Sequence, residues 1–267
     1  MSLTPAQVIV LATPVFLGLI AIEFAVGWAR GRNTYRLADA FNSIGLGMMS
    51  QVVGLFTKLA AIGLYTWVYD HAALVKLPVE AAWVWIAGLL AYDFCYYWLH
   101  RFGHTMALLW AAHSVHHQSE DYNLSTALRQ TSSGWIAGWL FYLPMAVLGF
   151  PPLVFGVVAL VDLLYQYWVH TQQIGRQPGD VAQRFPGEAF DLHRERYDLP
   201  LTPARQAAAG VAFVAAMAAT LWLLWFAHTL ASSALAAAAV GVVALLWIAG
   251  ELCTPRSRPA AAGIAAH

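Results

Sequence analysis

Long apolar runs govern what this chain can fold into. A helix rising 1.5 Å per residue needs about 20 mostly apolar residues to cross a hydrocarbon core of about 30 Å. Residues 8–28 meet that requirement with one acidic residue, Glu23. Residues 43–69 form a second run, interrupted by Lys58, and residues 81–98 a third that leads straight into a histidine-rich segment. Two shorter runs, 133–150 and 151–170, are separated by Pro151 and Pro152 and read as a helical hairpin that dips in and returns. Residues 207–226 and 230–248 form a last pair. The expected fold is an all-α integral membrane helical bundle with five to seven spans and a histidine cluster on its cytoplasmic side. It forms a single membrane domain over residues 1–267: helices over 8–170 that carry the histidines, a polar cytoplasmic loop over 175–205, and a C-terminal helix pair over 207–248.

Charge supports a lipid environment. Only 10% of the residues are charged, against about 25% in soluble domains. The 14 basic and 14 acidic residues cancel, which gives no footprint for nucleic acid. Arg30, Arg32 and Arg36 lie between the first two runs, and Arg101 and Arg129 flank the histidine segment. Arg176, Arg184, Arg194, Arg196 and Arg205 precede the last pair, and Arg256 and Arg258 follow it. An N-out, C-in topology places all of these on one side and leaves Lys76 in an outer loop, as positively charged cytoplasmic loops require. The expected location is therefore a bacterial inner membrane, multi-pass, with the histidines facing the cytoplasm. Residues 1–7 contain no basic residue, so the first run reads as an uncleaved helix and not a signal peptide. Cys95 and Cys253 do not make a disulfide framework and are expected as free thiols.

The chemistry concentrates in the histidines. His100 and His104 are spaced four apart, which places them on one helix face, and Asp93 falls on the same face seven residues earlier. His113, His116 and His117 follow with spacings of three and four. Imidazole suits iron, zinc, copper and nickel. A ligating imidazole usually donates its other ring N–H to a carboxylate or carbonyl, and Asp93, Glu120 and Asp121 stand close enough in sequence for that role. His170 reads equally as a ligand or as an interfacial residue in an aromatic belt. His71, His193, His228 and His267 read as structural or exposed, and Glu23, Lys58 and Asp162 as packing groups inside the bundle. A bis-histidine haem site fits poorly with the adjacent His116 and His117. A zinc peptidase would need an HExxH pattern, which is absent.

The HxxxH spacing at His100–His104 and the HxxHH spacing at His113–His117 resemble the histidine boxes of the fatty acid hydroxylase/sterol desaturase superfamily. The following run SEDYNLSTALRQ (residues 119–130) and the run LYQYWVHT (164–171) resemble its alkylglycerol monooxygenase branch. The resemblance implies a non-haem di-iron centre, O2-dependent C–H oxidation of a fatty, sterol or ether lipid, and a pterin or redox protein as electron donor. It implies His100, His104, His113, His116, His117 and His170 as ligands. A third box of the form HHxxHH is expected from the family, and no such pattern occurs in this sequence. Residues 185–197 instead resemble what lies beyond that box, which reads as an internal loss near 175–178. The expectation is an iron-dependent lipid oxygenase impaired by an incomplete metal site. The alternative is an inactive structural or metal-binding remnant.

Overall fold

The computed structural model describes residues 3–173 and 201–254. Helix α1 (Pro5–Ala29) opens on a capping box: Thr4 Oγ1 accepts the Gln7 N–H at 3.3 Å, and Gln7 Oε1 accepts the Thr4 N–H at 3.0 Å. Two otherwise orphaned helix-start donors are thereby satisfied. Helix α2 (Leu37–Ala72) is 36 residues long, and α3 (Ala82–Thr105) carries His100 and His104 in its last turns. After a break at Met106 come α4 (Ala107–His113), a 3-10 turn over His116–Gln118, and the single-turn α5 (Leu124–Ala127). Helices α6 (Leu143–Val147) and α7 (Pro152–Tyr167) follow, then α8 (Pro203–Phe226) and α9 (Ser232–Leu252).

The architecture is an all-α integral membrane bundle; among the described residues there is no strand. Among the described residues four helices, α1, α2, α8 and α9, are long and apolar enough to cross a membrane. Helix α3 falls outside that set because tyrosines, Asp93 and the histidine end dilute its apolar content. At 16 residues, α7 is shorter than a span. Against the five to seven spans read from the sequence, four helices meet the length and composition of a span among the described residues.

The hairpin expectation needs correction in its first arm. Residues 133–150 do not form one helix. They fold as 3-10 turns over Gly134–Ile136 and Gly138–Tyr142, followed by α6. Gly134 and Gly138 weaken helix propagation, and Pro144 sits in the first turn of α6, where its missing N–H costs nothing. The second arm is helical as expected and starts behind Pro151. The expected loop over 175–205 lies almost entirely outside the described residues, as does His193.

Packing centres on the junction of α2, α3, α6 and α7, where Tyr65, Val84, Met145 and Val154 are buried. Tyr65 stacks on Phe155 at 4.2 Å and donates its hydroxyl to the Phe150 carbonyl at 2.9 Å. A second contact zone joins α2 to α8 and α9 through Val52, Leu223 and Val242. In lipid, such contacts hold the helices by close packing more than by the hydrophobic effect. The outward faces are apolar, with Leu59 78% and Val211 72% exposed. Both cysteines are free thiols, as expected, and both are buried.

Candidate metal centre

The four-residue spacing carries His100 and His104 along one face of α3. The break at Met106 folds α4 back so that His113 meets that face. Gly103 permits the approach, since a Cβ there would sit 3.3 Å from the His113 ring. The next turn adds His117. The result is a group of four imidazoles, His100, His104, His113 and His117, whose ligand nitrogens all lie within 4.8 Å of one another. Nε2 to Nε2 separations are 3.1 Å for His100–His104, 3.3 Å for His104–His113 and 3.0 Å for His113–His117. The Trp110 ring lies 5.7 Å from that of His104 and 5.9 Å from that of His117.

His116, its ring perpendicular to that of His117 at 5.3 Å, pairs with His170, Nε2 to Nε2 at 3.2 Å. The two groups are adjacent, with the rings of His113 and His116 5.8 Å apart. In this pair the protonation state follows from the partners. His116 Nδ1 lies 2.8 Å from the Arg129 carbonyl, and His170 Nδ1 lies 2.9 Å from the Gln166 carbonyl. A carbonyl only accepts, so both Nδ1 atoms carry the proton and both Nε2 atoms present lone pairs. Two lone pairs facing each other at this distance repel unless a cation lies between them.

The separations suit a metal. With metal–nitrogen bonds of about 2.1 Å, ligands at a right angle lie about 3.0 Å apart and tetrahedral ligands about 3.4 Å apart. The observed 3.0–3.3 Å fall in that interval. Burial, and then the surrounding imidazoles, pull His113 down to about 3, and the same causes pull His117 down to about 4. Burial also lowers His170. Near neutral pH these three rings are uncharged and ready to ligate.

A segment tied together by its own side-chain and backbone hydrogen bonds buttresses the site. In residues 119–130, Ser119 donates to Asp39 at 2.6 Å, and Asn123 caps α5 while donating to the Thr34 carbonyl at 2.6 Å. The Leu124 N–H donates to Glu23 at 2.8 Å. Glu23 is buried in α1 and also accepts the hydroxyls of Tyr35 and Thr171, the latter beside His170. It therefore ties α1 to both metal-facing segments. The signal for that role was the lone acid in an apolar run, which at membrane depth marks a functional or structural hub.

Of the carboxylates expected to orient imidazoles, Asp121 meets Arg36 at 2.8 Å and Glu120 meets it at 3.6 Å. Asp93 faces a cavity alongside Asp162. The two orienting acceptors seen at His116 and His170 are backbone carbonyls. Lys58 donates to Gln51 and Gln166 donates to Asp162, and among the described residues Glu23, Lys58 and Asp162 do not pair with one another. His71 bonds back to the Trp67 carbonyl in its own helix, away from the site.

The histidines open onto a cavity of about 1370 Å³. Its walls continue into the membrane part of the bundle through Phe16 and Leu17 of α1, Met48 of α2, Leu163 of α7, and Leu221 and Leu224 of α8. A long apolar molecule can thus lie among the helices with one end at the imidazoles.

Comparison with known proteins agrees with this picture. Residues 85–197 match the family model described as fatty acid hydroxylase. Alkylglycerol monooxygenase of Danio rerio is 42% identical over 164 residues, covering 61% of this chain and 36% of that protein. Alkylglycerol monooxygenase of Homo sapiens is 42% identical over 164 residues, covering 61% and 37%. The Caenorhabditis elegans protein of the same name is 34% identical over 160 residues, covering 60% and 32%. The chain thus spans about a third of the length of these curated relatives. The resemblance to the superfamily, and to its alkylglycerol monooxygenase branch, is borne out. No solved structure matches the chain.

Proposed function

We propose that this chain is a membrane-bound, iron-dependent lipid oxygenase of the fatty acid hydroxylase type. It acts on a fatty, sterol or ether lipid with O2 and an external electron donor, a pterin or a redox protein. The observation that carries the reading is the convergence of six imidazoles in a group of four and a group of two, at spacings a metal fits, on the mouth of an apolar cavity. The relatives' name favours an ether lipid among the three classes.

Iron, when bound, supplies the O2 chemistry that inserts oxygen into an unactivated C–H bond. The protein's own part is positioning. His100, His104, His113 and His117 would hold one metal position, and His116 with His170 would hold or complete a second. The carbonyls of Arg129 and Gln166 keep the metal-facing nitrogens of that pair unprotonated. Trp110 packs beside His104 and His117, and the cavity wall would align the lipid chain.

Two irons of the di-iron type call for more ligands than six imidazoles provide, and the HHxxHH box expected of the family does not occur in the sequence. The proposal is accordingly an enzyme with reduced metal retention and reduced turnover. The same absence supports the alternative, an inactive remnant that keeps the fold. The arginines that meet the site, Arg36 and Arg129, support placing it on the cytoplasmic side of its membrane, which we propose is a bacterial inner membrane.

The test is turnover of a 1-O-alkylglycerol, a fatty acid and a sterol by iron-reconstituted protein in detergent. O2 and either a tetrahydropterin or a reductase are supplied, and products are followed by mass spectrometry. An oxygenated product from one lipid class is expected. Protein that retains iron and yields no product from any of them would favour the remnant.

A further inference from the structure

Arg129 is a buried cation, 7% exposed, with no place in the ligand set. Its guanidinium does three things at once. Nε donates to the Val115 carbonyl at 2.7 Å, one Nη donates to Ser43 of α2 at 3.2 Å, and the other reaches Gln118 at 3.4 Å. Asp39 of α2 lies 4.0 Å away and supplies the counter-charge. Val115 and Gln118 flank His116 and His117 on either side. The backbone carbonyl of the same residue accepts the Nδ1–H of His116. One residue thus brackets the turn from outside and holds its imidazole from beneath.

We infer that Arg129 is a positioning residue for the metal site: its guanidinium locks the 115–118 turn to α2, and its carbonyl aims His116 Nε2 at His170. The inference rests on the metal reading above. It assigns to a guanidinium and a main-chain carbonyl the orienting role that a carboxylate often fills. The side chain matters because a carbonyl can hold a ring only if its own backbone is fixed. A planar fork with five donors can serve a carbonyl, a hydroxyl and an amide together, whereas lysine cannot reach all three from one point.

The experiment titrates Co2+ into metal-free, detergent-purified full chain and reads the ligand-field absorption, with thermal unfolding of the metal-free protein measured in parallel. Losing a partner that orients a ligand typically weakens metal binding by about 10–100-fold. Arg129→Gln is expected to fall in that range and to change the band shape. Arg129→Lys should recover part of the affinity. Ser43→Ala, which removes one of the two α2 contacts and leaves Asp39 and the Val115 bond in place, should lose affinity by less than Arg129→Gln. Folded Arg129→Gln protein with wild-type affinity and spectrum would overturn the inference. If Arg129→Gln does not fold, Arg129→Lys decides: a lower unfolding temperature with unchanged Co2+ affinity and spectrum makes the residue merely structural and overturns it. Wild-type protein that takes up no Co2+ would contradict the metal reading itself.

Discussion

Gly47→Ala tests whether the buttress under the histidines is tight. Gly47 lies in α2 where the 119–130 segment crosses it, and a Cβ there would overlap the Leu128 carbonyl oxygen, an atom of the main chain. Ordinary contact begins at 3.4 Å. Restoring it would part the two backbones by about 1 Å, because the atom that must yield belongs to the main chain and not to a flexible side chain. Overpacking of this kind costs about 1–3 kcal/mol. The displaced residue adjoins Arg129, whose carbonyl holds His116, so the shift passes to a candidate ligand. A 1 Å misplacement can cost about 10²-fold in rate, and a disturbed orienting contact about 10–100-fold in metal affinity. Gly63→Ala in the same helix is the control, because nothing lies within 4 Å of its added methyl. Thermal unfolding and metal titration of both variants supply the readout. Gly47→Ala should lower both stability and affinity, while Gly63→Ala should hold or gain about 1 kcal/mol from helix propensity. Equal behaviour of the two variants would refute the close-approach argument.

Three further outcomes are expected. Glu23→Gln replaces one of the two acceptor oxygens that serve Tyr35, Thr171 and Leu124 with a donor. It should cost about 1–3 kcal/mol on thermal unfolding and loosen the His170 segment, and an unchanged melting temperature would count against the hub. Tyr65→Phe removes the 2.9 Å bond to the Phe150 carbonyl and should cost about 1 kcal/mol without changing metal binding, since it lies in the packing core and not at the site. The metal-free protein should lose stability as pH falls below about 6.5, the ordinary imidazole value. His113 and His117 titrate at about 3 and about 4 in the folded chain, so the unfolded chain takes protons first across that interval. Partial exposure of His117 limits the size of the effect. A stability that is flat between pH 4 and pH 7, measured by urea unfolding, would contradict the depressed values.

How much of this was legible in the sequence depends on whether the decisive contacts were local. The long helices were readable because an apolar run of sufficient length has one stable form in lipid: residues 8–28 became Pro5–Ala29, and 207–226 became Pro203–Phe226. The arm over 133–150 was not, because a run of apolar residues hid three breakers, Gly134, Gly138 and Pro144, whose combined effect exceeds that of any one. The pairing of His100 with His104 followed from helical spacing alone. The division of the HxxHH box did not. Adjacent residues in a helical turn point about 100° apart, so His117 joins the α3 histidines while His116 turns to His170, 54 residues later. Glu120 and Asp121 stand beside the histidines in sequence, yet Arg36, 85 residues from Asp121, engages them. Contacts at that range leave no periodicity to read. Arg129 stood out in the sequence only as a charge flanking the histidine segment within the 119–130 run, and its role appears only when Ser43 and Val115 are brought around it.

The most direct test of the account is the metal content of detergent-purified, iron-reconstituted protein by elemental analysis, for wild type, His116→Ala and His100→Ala. The account predicts iron in the wild type, at fewer than two atoms per chain, with loss in His100→Ala and a further weakening in His116→Ala. Wild-type protein that holds no iron after reconstitution, or holds the same amount in all three, would contradict it.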